Sequence, residues 1–377
     1  MRPQHGFTIT ELLVSVTITL LVAGAALTTF KNALDINDSA AQLGDSNQNL
    51  RAGTGQMIRD LMMAGRVIGA EGIAMPTGAG VQSFGRPGPS PGLTFVLVTD
   101  EDTTLTLNLP SITTGYQLGP TINGSHTDIV TILTVDEFMP VITTPPVAAP
   151  TATEGTIAAD GLSVTLPATS LWILGDTVND TPPIQRGDLV FYKSPNGNAI
   201  QTVTSTDATH IYFAANNTYD PFHFNQPAAP NWPIAIIKNG AAGPIGTAAF
   251  ATKVSLFRAL MITYYVDNTT TPGTPRLTRQ VDAFTPQALA GVVEDLDLTY
   301  DLVDGVVNPT EVQSLPYTSG GVTYNSGQIR KVNLHVGVRS EMISNPTRDY
   351  VRNHITTSVD VRSLASVDRY KSAGEVQ

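Results

Sequence analysis

The sequence predicts an α+β fold in which a long N-terminal helix packs on an antiparallel β-sheet that carries long loop insertions. Two patterns predict it. Residues 1–69 contain an apolar run followed by a stripe of apolar residues at helical spacing. Beyond them, several segments alternate apolar and polar side chains with a period of two, which is typical of antiparallel strands with one solvated face.

The composition restricts the possible classes of function. The chain has 377 residues, a formal net charge of −11 and no cysteine. The acidic balance argues against a nucleic-acid partner, because phosphate binding needs a surplus of basic side chains. The absence of cysteine excludes disulfides, thiolate metal sites and a cysteine nucleophile. Only 14% of the residues are charged, which is low for a soluble enzyme.

Residues 12–30 contain no charged side chain and are numerous enough to cross a membrane. At about 1.5 Å per residue, this run spans a hydrocarbon core of about 30 Å with little to spare. Its Ser and Thr residues are tolerated in lipid because their hydroxyls can bond back to helix carbonyls. Arg2 precedes the run and Lys31 follows it, so the charge bias is weak. We expect residues 7–30 to form a transmembrane helix.

Glu11 lies at the edge of this uncharged run. An ionised carboxylate at bilayer depth costs on the order of 2.5–3.5 kcal/mol, so it usually needs a partner. Cleavage after Gly6 would supply one, because Phe7 would then carry a new ammonium. The ammonium of a neighbouring subunit could pair with Glu11 and set the axial register between packed helices, as a lone polar residue does in a coiled coil.

The segment GFTITELLVS resembles the type IV prepilin signal, with a short basic leader (residues 1–6), Gly6 at the cut, Phe7 as the first mature residue and Glu11 as the fifth. The resemblance implies cleavage between Gly6 and Phe7 by prepilin peptidase, and N-methylation of Phe7. It also implies an inner-membrane anchor with a cytoplasmic N-terminus and a periplasmic head, followed by assembly with other pilins at the cell surface. Unlike many major pilins, this helix has no central proline.

Two other interpretations of the N-terminus stay open. In the first, Ala23-Gly24-Ala25 is the cleavage site of an ordinary secretory signal. In the second, the segment is a signal anchor without a role in assembly. The identity of the mature N-terminus separates these interpretations from a prepilin.

Residues 31–69 continue the helix with polar residues around one apolar stripe. We expect this stripe to pack on the protein's own sheet rather than in an autonomous coiled coil. Gly65 or Gly69 should end the helix. The stripe consists of Ile36, Ala40, Leu43, Leu50, Met57, Leu61, Ala64 and Ile68, with Asn47 and Thr54 at two of its positions.

Residues 70–370 should form a β-rich head, followed by a C-terminal tail at 371–377. Asp100-Glu101-Asp102 should form the charged tip of a hairpin. Residues 139–169 are rich in Pro, Thr and Ala and should be mostly loop or weak strand, whereas 221–233 and 239–246 should be irregular. Strands are predicted at 93–99, 104–109, 129–135, 188–193, 211–214, 260–266, 295–302, 331–339 and 355–362.

Later segments resemble PilW-type minor pilins and occur in the same order. The resemblance implies a low-abundance subunit of a type IV pilus that joins other minor pilins at the tip and helps to start assembly. The J-type pseudopilins of type II secretion share this architecture, so that alternative stays open. The segments are 58–65, 186–190, 264–266, 277–279, 291–296, 329–332 and 339–340.

The sequence contains no recognisable catalytic constellation, so we expect neither enzyme activity nor a cofactor. The six histidines have no metal-ligand spacing, and none adjoins a nucleophile motif. Asp295, Asp297 and Asp301 are weak calcium candidates. Their spacing does not fit an EF-hand loop, and alternation along a strand puts them on the solvated face.

Two further expectations concern the surface. Basic residues at 330–362 should form salt bridges with the acidic strand near 295–301, or alternatively a docking face for an acidic neighbour. The insertions 139–183 and 215–250 suggest a second function, that of an adhesin, because loops often carry binding sites. Their candidate contact residues are Trp172, Tyr219, Phe222, Phe224 and Trp232.

Overall fold

The computed structural model describes residues 8–99, 107–144, 154–247, 249–250, 252–270, 273–344 and 349–364. Within these ranges the predicted α+β fold is confirmed, since one long helix precedes a mostly antiparallel sheet. The leader with Gly6, the residue Phe7, the hairpin tip at 100–102 and the tail at 371–377 lie outside the described residues.

The helices in the described ranges are α1 (Ile9–Met63), α2 (Leu171–Leu174) and α3 (Pro233–Asn239), with a 3₁₀ turn at Ser326–Gln328. The first strands are β1 (Ile73–Met75), β2 (Val98–Thr99), β3 (Leu107–Leu109), β4 (Ile112–Thr113), β5 (Thr121–Ile122), β6 (Ser125–His126), β7 (Val130–Val135), β8 (Ile142–Thr144), β9 (Thr156–Ile157) and β10 (Ser163–Thr165). The remaining strands are β11 (Leu189–Ser194), β12 (Gly197–Thr202), β13 (Ser205–Thr206), β14 (His210–Tyr212), β15 (Val254–Asp267), β16 (Arg276–Val281), β17 (Gln287–Leu302), β18 (Tyr317–Ser319), β19 (Val322–Tyr324), β20 (Ile329–Ser344) and β21 (Asp349–Asp360).

The largest sheet is built around β15, which is long enough to pair with four neighbours. Along one edge it pairs with β8 and then β7, and along the other with β11 and then β16. From β16 the sheet continues through β17 and β20 to β21, and all of these pairs are antiparallel. The long strands β17, β20 and β21 therefore form one wing of the head.

The second half of α1 packs on this wing. Leu50, Met57 and Leu61 are at most 2% exposed, and they contact alternate apolar residues of the sheet such as Leu298 and Leu334. Full burial of one such side chain contributes about 1.5–3 kcal/mol, so the contact is a main source of stability. The predicted alternation is thus confirmed at 296–302 and 332–338, because the alternate apolar residues there are buried in the same cluster as the helix.

The predicted apolar stripe of the helix is buried only in its second half. Ile36 is 66% exposed and Leu43 is 40% exposed, whereas Leu50 marks the start of the buried part. The expectation that the whole stripe packs on the sheet is therefore wrong for residues 36–43, because α1 emerges from the head there, whereas Asn47 still accepts a hydrogen bond from Asn353 on β21. The helix ends at Met63, and Gly65 follows with a positive φ of 74° while its N–H bonds to the carbonyl of Leu133.

The prediction of one solvated face is wrong for β15. Ile262, Tyr264 and Val266 pack under α1, whereas Met261 points the other way into a separate apolar cluster that includes Phe191. Thr263 is also fully buried and bonds to Thr131 on β7. A central strand that is covered on both faces carries apolar residues on both of its faces. The alternation in the sequence therefore did not predict that the second face of β15 is buried.

The predicted salt bridges involve a different acidic residue. Arg339 and Arg352 each hold a carboxylate oxygen of Glu294 at 2.9 Å, rather than a residue in 295–301. The register of β17 shifts between Val293 and Asp295, which is a β-bulge that turns Glu294 towards both arginines.

Candidate assembly site

The N-terminal half of α1 projects from the head with its apolar side chains uncovered. An 18-residue window of this helix has a mean hydropathy of 2.1, and none of it is buried within the protein. Leu13 is 65% exposed, Leu21 69% and Leu27 70%. Such a continuous apolar surface is unstable in water. Its length and composition fit a membrane span, and the same surface can pack against other helices.

The hydroxyl groups within this apolar segment are satisfied inside the helix itself. Thr17 donates to the carbonyl of Leu13, and Thr28 donates to that of Gly24, at distances of 2.7 and 2.8 Å. Ser15, Thr19 and Thr29 make equivalent bonds. The expected back-bonding is therefore confirmed, and these side chains present mainly carbon to their surroundings.

Glu11 lies in the first turn of α1 and forms a capping box with Thr8. The backbone N–H of Thr8 donates to Oε2 of Glu11 at 3.0 Å, and the backbone N–H of Glu11 donates to Oγ1 of Thr8 at 3.3 Å. The Thr8 hydroxyl also donates to Oε2 of Glu11 at 2.8 Å. This arrangement satisfies two N–H groups that helix geometry leaves free.

The capping box adds a role that the sequence reasoning missed. The signal was present, because Ser or Thr followed three residues later by Glu, just before an apolar run, is a helix-start pattern. Glu11 therefore fixes the first turn of the helix through Thr8. Its contact with an ammonium on Phe7 stays a prediction, since Phe7 lies outside the described residues.

The apolar helix is fixed to the head by a buried polar cluster around Asp60. Oδ2 of Asp60 accepts a hydrogen bond from the Tyr264 hydroxyl at 2.5 Å and one from Nε of Arg279 at 2.7 Å. Gln56 donates to Oδ1 of the same carboxylate at 3.2 Å. Asp60 is only 1% exposed, so its charge needs these partners. Burial and the neighbouring Asp60 raise the pKa of Tyr264, so its hydroxyl stays protonated and donates.

Close backbone approach adds to this attachment at Gly53. A Cβ on Gly53 would lie 2.9 Å from the Cβ of Ala290 on β17 and 3.3 Å from Leu277. The sheet therefore touches the helix backbone at this position, which only glycine allows without a shift. Thr54, beside it, is buried and donates to the carbonyl of Leu50 at 2.7 Å.

The calcium candidates lie on the outer face of β17, as expected. Asp297 is exposed, Asp295 contacts His335, and Asp301 accepts hydrogen bonds from Asn333 and from the backbone of Glu311. Partial desolvation of its carboxyl group by the surrounding protein, together with the nearby Asp295, raises the pKa of Asp297. Across the described ranges, no three His, Asp or Glu side chains are already gathered as metal ligands. Calcium binding stays a prediction.

The aromatic residues of the two insertions are mostly structural. Trp172, Phe222, Phe224 and Trp232 are at most 5% exposed, and only Tyr219, at 43%, is open to solvent among the five candidates. The expectation that they form a contact surface is therefore wrong for four of them. Trp172 and Trp232 belong to a second apolar core that the insertions build beside β11 and β15.

The comparisons with known proteins agree with the geometry of the N-terminus. A family model described as the prokaryotic N-terminal methylation motif matches residues 1–27. No curated protein and no solved structure matches the chain. The matched motif and the long uncovered apolar helix support a type IV pilin-like protein that is processed by prepilin peptidase, anchored in a membrane and assembled with other pilins.

Proposed function

We propose that this chain is a PilW-type minor pilin that is cut between Gly6 and Phe7, methylated on Phe7 and incorporated into a type IV pilus. Its place is at the pilus tip, where it helps to initiate assembly. One observation carries the proposal: a bare apolar helix begins at a capping box containing Glu11 and is fixed rigidly to a large head.

Cleavage changes what surrounds Glu11. The cut places an ammonium on Phe7, the residue directly before the helix cap at Thr8. One oxygen of Glu11 already accepts hydrogen bonds from Thr8, and among the described residues nothing bonds to the other, which is where the ammonium of a neighbouring subunit would bind. Removing both charges from water into an apolar helix bundle is costly unless they pair, so a misaligned neighbour is disfavoured. Axial register in the filament follows from this pairing.

The contacts at Asp60 and Gly53 join the helix rigidly to the sheet, so the head moves together with the helix. Any force or displacement that acts on the apolar segment reaches the sheet through the hydrogen bonds of Asp60. The head, in turn, is large for a subunit that repeats along a shaft, since its insertions build a second core outside the main sheet. This bulk favours a terminal position, where fewer neighbours compete for space.

Intact-mass measurement of the protein extracted from membranes tests the processing step. The proposal predicts the loss of Met1–Gly6 and the addition of one methyl group to Phe7. A mature chain that starts at Ala26 would assign the N-terminus to an ordinary secretory signal instead. A full-length chain that starts at Met1 would leave only a signal anchor, and either result would overturn the proposal.

Type II secretion is the main alternative destination. A pseudopilin would have the same leader, the same helix and the same attachment of the head. Deletion of the coding sequence distinguishes the two systems. Loss of surface pili with normal protein export supports the pilus, whereas loss of export with normal piliation assigns the chain to secretion.

Adhesion is a second candidate function because apolar residues protrude from the first insertion. Leu174 is 63% exposed and Val178 is 90% exposed at the end of α2 and in the turn that follows. Deleting the insertion would remove Trp172 from the second core, so point variants are the better test. Leu174→Ser combined with Val178→Ser should reduce adhesion and leave piliation normal if this surface binds a target. Unchanged adhesion would exclude it.

A further inference from the structure

The strand β21 forms one end of the largest sheet and is paired along one side only. Within the described ranges it bonds to β20, and no strand lies along its other side. It is 12 residues long, from Asp349 to Asp360. Such an edge carries a row of N–H and carbonyl groups to which a further strand can bond.

The hydrogen bonds to β20 show which backbone groups of β21 point outwards. The N–H of Val361 donates to the carbonyl of Arg330, so in this antiparallel register every second residue of β21 bonds to β20 and the residues between them face the open side. The N–H of His354 agrees with this phase, since it donates to the side chain of Asn353 at 2.9 Å. The outward residues are Arg352, His354, Thr356, Ser358 and Asp360.

This edge lacks the features that usually keep strands from associating. Residues 353–359 contain no Asp, Glu, Lys, Arg, Pro or Gly, whereas long edges are generally protected by charged residues, proline or a bulge. At the opposite end of the sheet, on β12, the N–H and the carbonyl of Thr202 are both bonded to the side chain of Asn225, at 2.9 and 2.7 Å. The edge of β21 is therefore the one that is available for pairing among these two.

An added strand would also cover apolar side chains that the head covers only in part. Val359 is 3% exposed, but Ile355 and Val351, on the same face of β21, are half-buried. Ile355 packs against the cluster that contains the buried half of α1. The segment that fits this edge therefore alternates apolar residues facing α1 with polar residues facing solvent.

The open edge lies beside the helix surface that the head leaves uncovered. β21 contacts α1, and the side chain of Asn353 donates a hydrogen bond to that of Asn47. Leu43, one turn before Asn47, is 40% exposed. A neighbouring subunit that packs on this part of α1 therefore also reaches the edge of β21.

We propose that β21 takes up an extended segment of another pilin-like subunit as an added strand of its sheet. The inference rests on the proposed function for the identity of this neighbour. A second copy of this chain fits less well, because an antiparallel pair of β21 strands would point the two apolar helices in opposite directions. Two copies anchored in one membrane cannot form such a pair, whereas an extended segment of a different subunit can run in either direction.

A peptide with the sequence of residues 350–360 serves as a probe for the edge. Placed antiparallel and centred on Ile355, it puts Val351 opposite Val359, so apolar residues meet on the α1 side. Fluorescence anisotropy with the full-length protein in detergent should show saturable binding. Ser358→Pro removes one outward N–H and should weaken binding about tenfold, whereas Ser358→Ala keeps this N–H and should bind as the unaltered protein does. Thermal melting shows whether Ser358→Pro folds.

Hydrogen exchange of the unaltered protein tests the edge without any substitution. The amides of Thr356 and Ser358 should exchange rapidly in the free protein and at least tenfold more slowly with the peptide bound. Absence of binding, unchanged exchange, or equal binding by the two Ser358 variants would overturn the proposal. Slow exchange in the free protein would do the same, because another part of the chain would then already cover the edge.

The occupant is tested in cells by the amount of Ser358→Pro in sheared filaments, relative to Ser358→Ala at the same membrane level. The proposal predicts at least a tenfold loss with leader cleavage unchanged, which distinguishes loss of the edge contact from failure of processing. Equal incorporation of the two variants contradicts the proposal.

A cross-linking experiment identifies a second copy at the edge. The chain has no native cysteine, so a short bismaleimide applied to cells that produce Thr356→Cys reacts only at this position of the chain. The proposal predicts no cross-linked pair of two copies. Such a pair would assign the edge to a second copy and overturn the proposal.

Discussion

Arg279 on the sheet donates its Nε to Oδ2 of Asp60 on the helix across 2.7 Å, in a contact that is nearly closed to water. The same oxygen accepts the hydroxyl of Tyr264 at 2.5 Å. A slip of the helix by one turn, about 5.4 Å, would break both bonds and leave the Tyr264 hydroxyl and the Arg279 guanidinium without their shared acceptor. The pair therefore fixes the axial position of the apolar helix relative to the head.

Removal of the carboxylate at Asp60 should strongly destabilise the protein. Asp60→Ala leaves the Arg279 guanidinium and the Tyr264 hydroxyl without their shared acceptor, and breaking a buried ion pair in this way costs about 3–5 kcal/mol. Thermal unfolding of the detergent-solubilised full-length protein measures the loss. Arg51→Ala, at an exposed position of the same helix, should change the free energy of unfolding by no more than about 0.5 kcal/mol. Equal effects of the two variants would contradict the role of Asp60.

Gly53 and Gly55, two residues apart in α1, should respond oppositely to the same substitution. Gly55→Ala meets nothing within 4 Å, so it should stabilise the helix by about 0.5–1 kcal/mol through higher helix propensity. Gly53→Ala places a Cβ 2.9 Å from that of Ala290, so crowding should cancel this gain or reverse it by about 1–3 kcal/mol. Chemical denaturation of the two variants checks the difference. A stabilised Gly53→Ala would show that the helix does not approach the sheet this closely.

A buried carboxylate makes the stability of the head depend on pH. Asp128 is 3% exposed and accepts backbone N–H groups of Gln117 and Leu298, each at 2.8 Å. Burial outweighs these bonds and raises the pKa of Asp128 to about 6. Because the folded-state pKa is raised, the contribution of this group to stability is fully present below the unfolded pKa of about 4 and is lost as the pH rises through 6.

The pH effect of Asp128 is measured against a variant that does not titrate. Between pH 4.5 and pH 7, the free energy of unfolding of the unaltered protein should fall by about 2 kcal/mol relative to that of Asp128→Asn. Only the change of the free energy of unfolding with pH is compared. A constant loss of stability in Asp128→Asn, caused by replacing one acceptor oxygen, therefore does not affect the test. Parallel pH profiles for the two proteins would contradict the raised pKa.

The alternation of apolar and polar residues correctly predicted the strands that have one buried face and one solvated face. The strands near 296–302 and 332–338 have one face against α1 and one face open, so alternation described them correctly. It failed at β15, where Met261 and Ile262 are both buried because two different apolar clusters lie on the two sides. The alternation of residues along one strand therefore does not show whether another layer covers the second face of that strand.

The sequence predicted the charged residue of the assembly site, Glu11, but not the contacts that fix the helix to the head. Glu11 stood out because an acid beside an apolar run is costly, and the same reasoning could have reached the capping box with Thr8. Asp60 gave no such signal, because an aspartate beside an arginine on an amphipathic helix is usually solvated, and its partners Tyr264 and Arg279 are about two hundred residues away. Pairing across that separation depends on the folded topology.

The most direct test of the assembly mechanism is the amount of a Glu11→Gln variant in sheared filaments, relative to the unaltered protein at the same membrane level. Glutamine keeps the capping box with Thr8, since Gln also serves at this position, but it removes the charge that is proposed to meet the Phe7 ammonium. We expect at least a tenfold loss from filaments, which corresponds to about 1.4 kcal/mol, with leader cleavage unchanged. If Glu11→Gln enters filaments as well as the unaltered protein, Glu11 only caps the helix and the proposed register mechanism is wrong.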